Sequence, residues 1–355
     1  DNNRLLSALT PEDTRQTIVK PIQACGAYLE AGLVERILND VKDQAAPLPL
    51  LQHALLELWK KRQGRWLRNE TYTEIGEVKG ALQKRADATL QDLTPPQQLI
   101  AKNIFLRLVT LGEGVPDTRQ RIPRTDLLTT DPQENESIHL VIDQLQGKDA
   151  RLIHVNQENS NKPTVEVTHE ALIQNWPQFR KWLEDERDNV RVRQRLTDAA
   201  REWKSSQSLH GTTGDPGLLW EGARLQNIVQ FADSNGGKLS PDEDAFVTAS
   251  IEKLVQRLTI ISLENASPFI EELQPYRARA KQRLIELRGA SDSQGNASLF
   301  ASLTLLPSDV SQVPYLTDRL LQESLDAIPL IAAALTSHQQ QVLSSLWPIL
   351  DGQGS

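Results

Sequence analysis

His169 is the residue whose type and position could most readily do chemistry. Residues 165–168 alternate apolar and polar side chains like a half-buried strand, and after residue 169 the apolar residues recur at helical spacing. Thr168 is placed to cap the first helical turn. A histidine at such a junction lies among backbone N–H groups that favour a nearby negative charge. The position therefore predicts either an imidazole that contacts a phosphate or an ordinary packed histidine.

No complete set of catalytic residues accompanies this histidine in the sequence. A glycine-rich phosphate loop of the G-x-x-x-x-G-K-[ST] type does not occur, and Ile173 stands where an H-E-x-x-H zinc motif needs its second histidine. The six histidines are scattered, and no nucleophile motif lies with them. We therefore predict that this chain is not an enzyme and has no metal site.

Composition excludes several classes of protein. A net charge of −8 argues against a dedicated nucleic-acid binder, whose surface would be basic. No apolar run approaches the length of about 18 residues that a membrane span needs. The single cysteine, Cys25, fits a reducing cytoplasm, where we expect the protein to be located. The chain starts at Asp1 and contains no methionine, so we interpret it as a piece of a larger protein.

The first half of the chain is predicted to contain two domains. Residues 1–92 carry helical patterns, among them APLPLLQHALLELW, in which Pro49 occupies the first turn of a helix. Residues 93–183 read as three helices followed by a strand, a polar loop and a second strand, which is the order of a winged-helix domain with a small β-hairpin. Its third helix offers few cations for phosphate contacts, so DNA binding is disfavoured.

The second half is predicted to be entirely helical. Residues 184–255 form a long helical connector rich in charged side chains. Residues 256–355 contain short apolar-faced helices joined by few residues, which is typical of HEAT-like segments. The fold class predicted for the whole chain is therefore mainly α.

Four stretches resemble one protein family. These are the stretch around Pro49, LVTLGEGVPDTR at residues 108–119, VEVTHEALIQNWPQFRKWL at residues 165–183, and the helix that ends in Glu202-Trp203. They are similar to the part of bacterial STAND-class signalling NTPases that follows the nucleotide-binding core, and the similarity covers roughly residues 4–255. The resemblance implies that residues 1–92 are a helical lid and that a winged helix and helical arms follow.

The resemblance also implies roles for two residues. In this family a lid proline lies against the adenine of the nucleotide, and the matching residue is Pro49, with Pro47 where the family has glycine. A winged-helix histidine touches the β-phosphate of ADP, and the matching residue is His169. ATP or ADP with Mg²⁺ would bind only in the full-length parent, which includes an upstream P-loop domain. No cofactor is expected to bind this chain alone.

The expected partners follow from the same resemblance. They are the upstream P-loop domain, protein partners or a further C-terminal effector or recognition domain, and other copies in an oligomer. Two alternatives remain open: a stand-alone winged-helix regulator with helical sensing arms, and a structural adaptor in which His169 and Pro49 are both core residues.

Overall fold

The computed structural model describes residues 10–42, 47–157, 162–210, 214–234, 238–289, 295–322 and 326–350. The chain divides into two compact units, Asp1–Arg191 and Val192–Ser355. The prediction of a mainly α fold is confirmed, because helices dominate both units and the described strands are short and lie in the first unit. The boundaries of the four domains proposed from the sequence remain a prediction.

The first part of unit 1 is a bundle of helices around a two-residue parallel strand pair. Its helix α1 begins where Thr10 and Asp13 form a capping box, in which each side chain accepts from the backbone N–H of the other residue. Gly76 adopts a φ of +86°, which favours glycine, and this turn separates two helices. The elements are α1 (Pro11–Ala24), β1 (Tyr28–Leu29), α2 (Leu33–Val41), α3 (Pro47–Lys60), β2 (Trp66–Leu67), α4 (Asn69–Glu74) and α5 (Glu77–Gln91).

The second part of unit 1 contains a three-stranded antiparallel sheet. The elements are α6 (Pro95–Arg107), β3 (Val109–Thr110), β4 (Thr118–Arg119), β5 (Ile122–Pro123), a 3₁₀ turn (Arg124–Leu127), α7 (Pro132–Gln146), β6 (Ile153–Asn156) and β7 (Thr164–Val167). Strand β7 pairs with both β5 and β6. The sequence predicted the β6–β7 hairpin but not β5, whose two residues are too few to show a period. Residues 158–161 of the predicted polar loop lie outside the described residues.

The junction at His169 differs from the prediction in one respect. Thr168 is not the helix cap, because its N–H still bonds to the carbonyl of Leu152 beside the sheet and its hydroxyl oxygen is buried without a partner. The cap position belongs to His169, with extended backbone and no side-chain capping bond. The helices that follow are α8 (Glu170–Asn175), α9 (Pro177–Asp185) and α10 (Arg187–His210). Pro177 starts α9 and so divides the predicted helix.

One continuous hydrophobic core extends through unit 1, from α1 to α9. At its centre the rings of Phe105, Trp176, Phe179 and Trp182 contact one another, with Phe105 and Trp176 5.3 Å apart between centroids. The indole N–H of Trp176 donates to the carboxylate of Asp87 in α5 at 2.7 Å. The predicted lid and the predicted winged helix therefore share one core in this structure.

Unit 2 is helical throughout its described residues. Ser240 and Glu243 form a buried capping box at the start of α12. Residues 298–305 are buried on every side of α15, which makes this helix the centre of the unit. The helices are α11 (Gly222–Asp233), α12 (Pro241–Arg257), α13 (Leu263–Leu273), α14 (Arg277–Gly289), α15 (Asn296–Leu305), α16 (Val313–Gln322), α17 (Ile328–Leu335) and α18 (Gln339–Leu350). Within the described part of the chain, no helix could cross a membrane.

Truncation of the aromatic centre should destabilise unit 1. Phe105 is fully buried, so Phe105→Ala should lower the free energy of unfolding by about 3–5 kcal/mol, the range typical of a lost core aromatic ring. Leu99 lies on the same helix but is 46% exposed, so Leu99→Ala serves as the control and should cost less than about 1 kcal/mol. Urea denaturation followed by circular dichroism measures both. Equal losses would show that the ring cluster is not the centre of the core.

Candidate functional site

His169 packs against the helix that begins with Pro47. Its half-buried ring meets the ring of His53 in α3 edge to face, with centroids 5.7 Å apart and an angle of 83° between the planes. The strand–helix junction of the second half of unit 1 is thereby in direct contact with the bundle in the first half. This contact defines the candidate site.

Pro49 lies at the start of the same helix α3. Its backbone is in the first turn, as predicted, whereas its side chain lies outside the described residues. His53 follows four residues later, and residues at that spacing lie on one face of a helix, about one turn apart. The structure therefore brings His169 to the turn of α3 that follows Pro49.

His53 is a buried, neutral histidine. It is 4% exposed, and its Nδ1 lies 3.2 Å from Nη1 of Arg85 in α5. Because a guanidinium can only donate, Nδ1 must accept and carries no proton. Burial, followed by the positive charge of Arg85 and the nearby ring of His169, lowers the pKa of His53 to about 4. At neutral pH this imidazole is uncharged, with its proton on Nε2.

Arg85 connects three elements of unit 1. Its side chain is 5% exposed, and Nη2 donates to the carbonyl of Lys148, in the turn between α7 and β6, at 3.2 Å. Nη1 also lies 3.7 Å from a carboxylate oxygen of Glu57 in α3. The Nε of Arg85 is buried and has no hydrogen-bond partner. Arg85 thus connects α3, α5 and this turn through a guanidinium that always stays protonated.

His169 is also held in its neutral form. Its pKa is lowered, first by burial and then by the positive charge of Arg119 in β4. The Arg119 guanidinium lies 3.8 Å from the carboxylate of Glu166 and is 44% exposed. A neutral imidazole still donates one hydrogen bond, so His169 can contact an anionic oxygen while Arg119 supplies permanent positive charge nearby. No group of three or more His, Cys, Asp or Glu residues suited to a metal ion lies among the described residues.

The sequence pointed to His169 as a site residue, but it did not point to His53 or Arg85. His53 stands in the stretch that matches the family, four residues after Pro49, and that spacing was the available signal. Arg85 falls among the buried positions Val78, Ala81 and Leu82 of α5, so a charged residue on an apolar helix face was its signal. The partner of each could not be read from the sequence.

The lowered pKa of His53 predicts a pH dependence of stability. The unfolded chain binds a proton at His53 below an ordinary pKa of about 6.5, whereas the folded chain binds it only near pH 4. Between these values the unfolded state holds more protons, so the free energy of unfolding should fall as the pH falls, by up to about 1.4 kcal/mol per pH unit from this residue. Above pH 6.5 His53 should contribute no pH dependence.

The variant His53→Asn isolates this effect. Asparagine stays neutral and keeps an acceptor near the position of Nδ1, so urea denaturation from pH 7.5 to about 4.5 should give a flatter stability profile than the wild type. The other groups that titrate in this range are present in both proteins and cancel in the difference. A wild-type-minus-variant difference that does not change with pH would contradict the buried neutral state of His53.

Comparison with known families gives one match. The family model described as Novel STAND NTPase 1 matches residues 1–211, more than half of the chain and all of unit 1. No curated protein and no solved structure matches the chain significantly.

Proposed function

The chain belongs to the Novel STAND NTPase 1 family, and from this premise we propose that it is a regulatory and scaffold portion of a signalling NTPase. In this proposal an upstream P-loop domain of the same polypeptide binds ATP or ADP with Mg²⁺ and supplies the hydrolytic chemistry. The chain itself contributes no complete active site. It couples the nucleotide state to changes of conformation, to partner binding and to oligomerisation.

The observation that carries the proposal is the contact between the rings of His169 and His53. It places the histidine that would read the nucleotide phosphate against the helix whose first turn holds Pro49. Phosphate and adenine lie at opposite ends of a nucleotide, so a protein that contacts both groups needs two structural elements that lie next to each other. Elements α3 and α8 supply such a pair.

The residues around His169 fit an anionic group. The neutral imidazole offers an N–H, the hydroxyl oxygen of Thr168 is buried without a partner, and Arg119 adds positive charge. His169 would donate to the β-phosphate of ADP, and Pro49 would pack against the adenine. Because an imidazole that donates to an anion is stabilised by it, loss of the anion would weaken the junction between α8 and α3.

The packing within unit 1 supports a switch between two arrangements. In the resting arrangement the lid, residues 1–92, and the winged helix, residues 93–183, share the core that includes the Trp176–Asp87 hydrogen bond. ATP or a partner would favour an arrangement in which the two separate, a transition between two discrete packings. The three-stranded sheet with α6, the 3₁₀ turn and α7 supports the winged-helix assignment.

The remaining parts of the proposal concern partners and location. Unit 2 would serve as a HEAT-like helical arm for protein partners or for a further C-terminal effector or recognition domain. Nucleic acid is not a proposed partner, because the net charge is −8. A cytoplasmic location is supported by Cys25, which is exposed and unpaired.

The test uses the polypeptide that includes the upstream P-loop domain. Removal of the imidazole in His169→Ala should lower ADP retention about tenfold or more, the value of a hydrogen bond to a charged group. Co-purified nucleotide is measured by chromatography of the acid extract, and oligomeric state by light scattering. The control is His154→Ala, which removes an exposed histidine from β6 of the same unit and should change neither.

Two results would remove the proposal. One is a parent gene that encodes no phosphate loop upstream of residue 1. The other is unchanged ADP occupancy and unchanged oligomeric state in His169→Ala, which would leave His169 as a packing residue.

A further inference from the structure

A second feature of unit 1 is a cavity of about 510 Å³ that the proposed function does not use. It lies between the C-terminal half of α3, α5 and the turn after α7. Its polar lining includes Glu57, Lys60, Lys61, Lys84, Arg85 and Lys148. His169, His53 and Pro49 are not part of this lining. The cavity is therefore distinct from the nucleotide-reading contact, although Arg85 borders both.

The charges around the cavity leave an excess of positive charge. Five cations and three carboxylates line it, which gives a net charge of +2. Lys60 lies 3.4 Å from Glu57 and 3.1 Å from Asp149, and Arg85 lies 3.7 Å from Glu57, so two of the five cations are balanced by these two acids. Lys61 and Lys148 have no acidic side chain within 4.0 Å among the described residues. These two cations are available to an anion that enters the cavity.

Arg85 gives the cavity a buried cationic wall. The residue is 7% exposed, and its Nε has no hydrogen-bond partner although it is buried. Because buried charges are screened much less by solvent than exposed ones, the positive charge of this guanidinium acts strongly on the cavity. The planar guanidinium suits carboxylate and phosphate groups, whose oxygens match its N–H donors.

The apolar part of the lining leaves room for more than a bare ion. Ile75, Ala81, Ala88 and Ala150 contribute short side chains to the walls. A volume of about 510 Å³ falls within the range of sites that hold small organic molecules. An apolar wall beside a cationic one is the arrangement that binds an organic molecule through one anionic group.

We propose that this cavity binds a small organic anion through its phosphate or carboxylate group. Arg85 provides positive charge in the wall, Lys61 and Lys148 provide charge at the rim, and the alanines accommodate the apolar body. The binding itself does not depend on nucleotide or on the function proposed for His169.

The position of Arg85 couples the cavity to the histidine pair. Nη1 of Arg85 contacts Nδ1 of His53, and the ring of His53 contacts the ring of His169. An anion in the cavity competes with Nδ1 of His53 for the positive charge of Arg85. Occupancy of the cavity therefore alters the surroundings of His53, and this coupling has a regulatory meaning only if the function proposed for His169 holds.

The experiment follows the histidine signals of the whole chain by NMR after labelling the ring carbon Cε1. Inorganic phosphate and succinate are titrated separately at constant ionic strength, so that the two arms distinguish a phosphorylated from a carboxylated ligand. The His53 signal, assigned by its absence in His53→Asn, should shift with a saturable dependence on at least one probe. The variants Lys61→Gln and Lys148→Gln should each weaken binding about fivefold, as expected for one lost charge at a partly screened site.

Matched variants separate this site from its neighbours. Lys79→Gln removes an exposed lysine from the same helix α5, outside the cavity, and should leave the affinity unchanged. His169→Ala should leave the saturable shift of His53 in place, so failure of the proposed function would not hide binding. Arg85→Gln should abolish the shift of the His53 signal. If Arg85→Gln does not fold, Lys61→Gln and Lys148→Gln test whether the anion binds in the cavity.

Three results would overturn the inference. They are the absence of saturable shifts with both probes, equal weakening by Lys79→Gln and Lys148→Gln, and loss of the phosphate response in His169→Ala. The last result would assign the anion to the histidine pair rather than to the cavity.

Discussion

The contact between Arg85 and His53 is the constraint on which the rest of unit 1 depends. Arginine cannot lose its proton, so a guanidinium that is nearly inaccessible to water must find acceptors inside the protein. It finds the unprotonated Nδ1 of His53, the carbonyl of Lys148 and, more distantly, the carboxylate of Glu57. Two of these acceptors lie in α3, and the third lies in the turn between α7 and β6. The need to satisfy one buried charge therefore fixes how these elements approach one another.

The same contact sets the chemical state of the candidate site. A histidine that accepts from a cation resists protonation, so His53 stays neutral where its ring meets that of His169. His169 is kept neutral by its own burial and by Arg119, and it remains able to donate one hydrogen bond. In the proposed function, His169 would recognise a phosphate through its position and through the neighbouring charge of Arg119, and this recognition would not require a change of protonation near neutral pH.

The shared core explains why a change at this site could reach the whole of unit 1. Trp176 lies immediately between α8 and α9, a few residues after His169, and bonds to Asp87 on the helix that also carries Arg85. The aromatic rings around Trp176 contact one another, and closely packed cores move between discrete arrangements rather than deform gradually. In the proposed function, a weak bias at the histidine pair would select between two such packings.

The sequence by itself determined the helical class, the β6–β7 hairpin and the strand–helix junction at His169. These features depend on local periods and caps, which involve residues a few positions apart. The sequence also carried the resemblance that the family match over residues 1–211 confirms. Only the tertiary structure decided that His169 meets His53, that Arg85 is the buried cation between α3 and the α7–β6 turn, and that Thr168 remains with the sheet. Those outcomes join residues 16 to 116 positions apart, and such pairings follow from the packing of whole elements rather than from any local pattern.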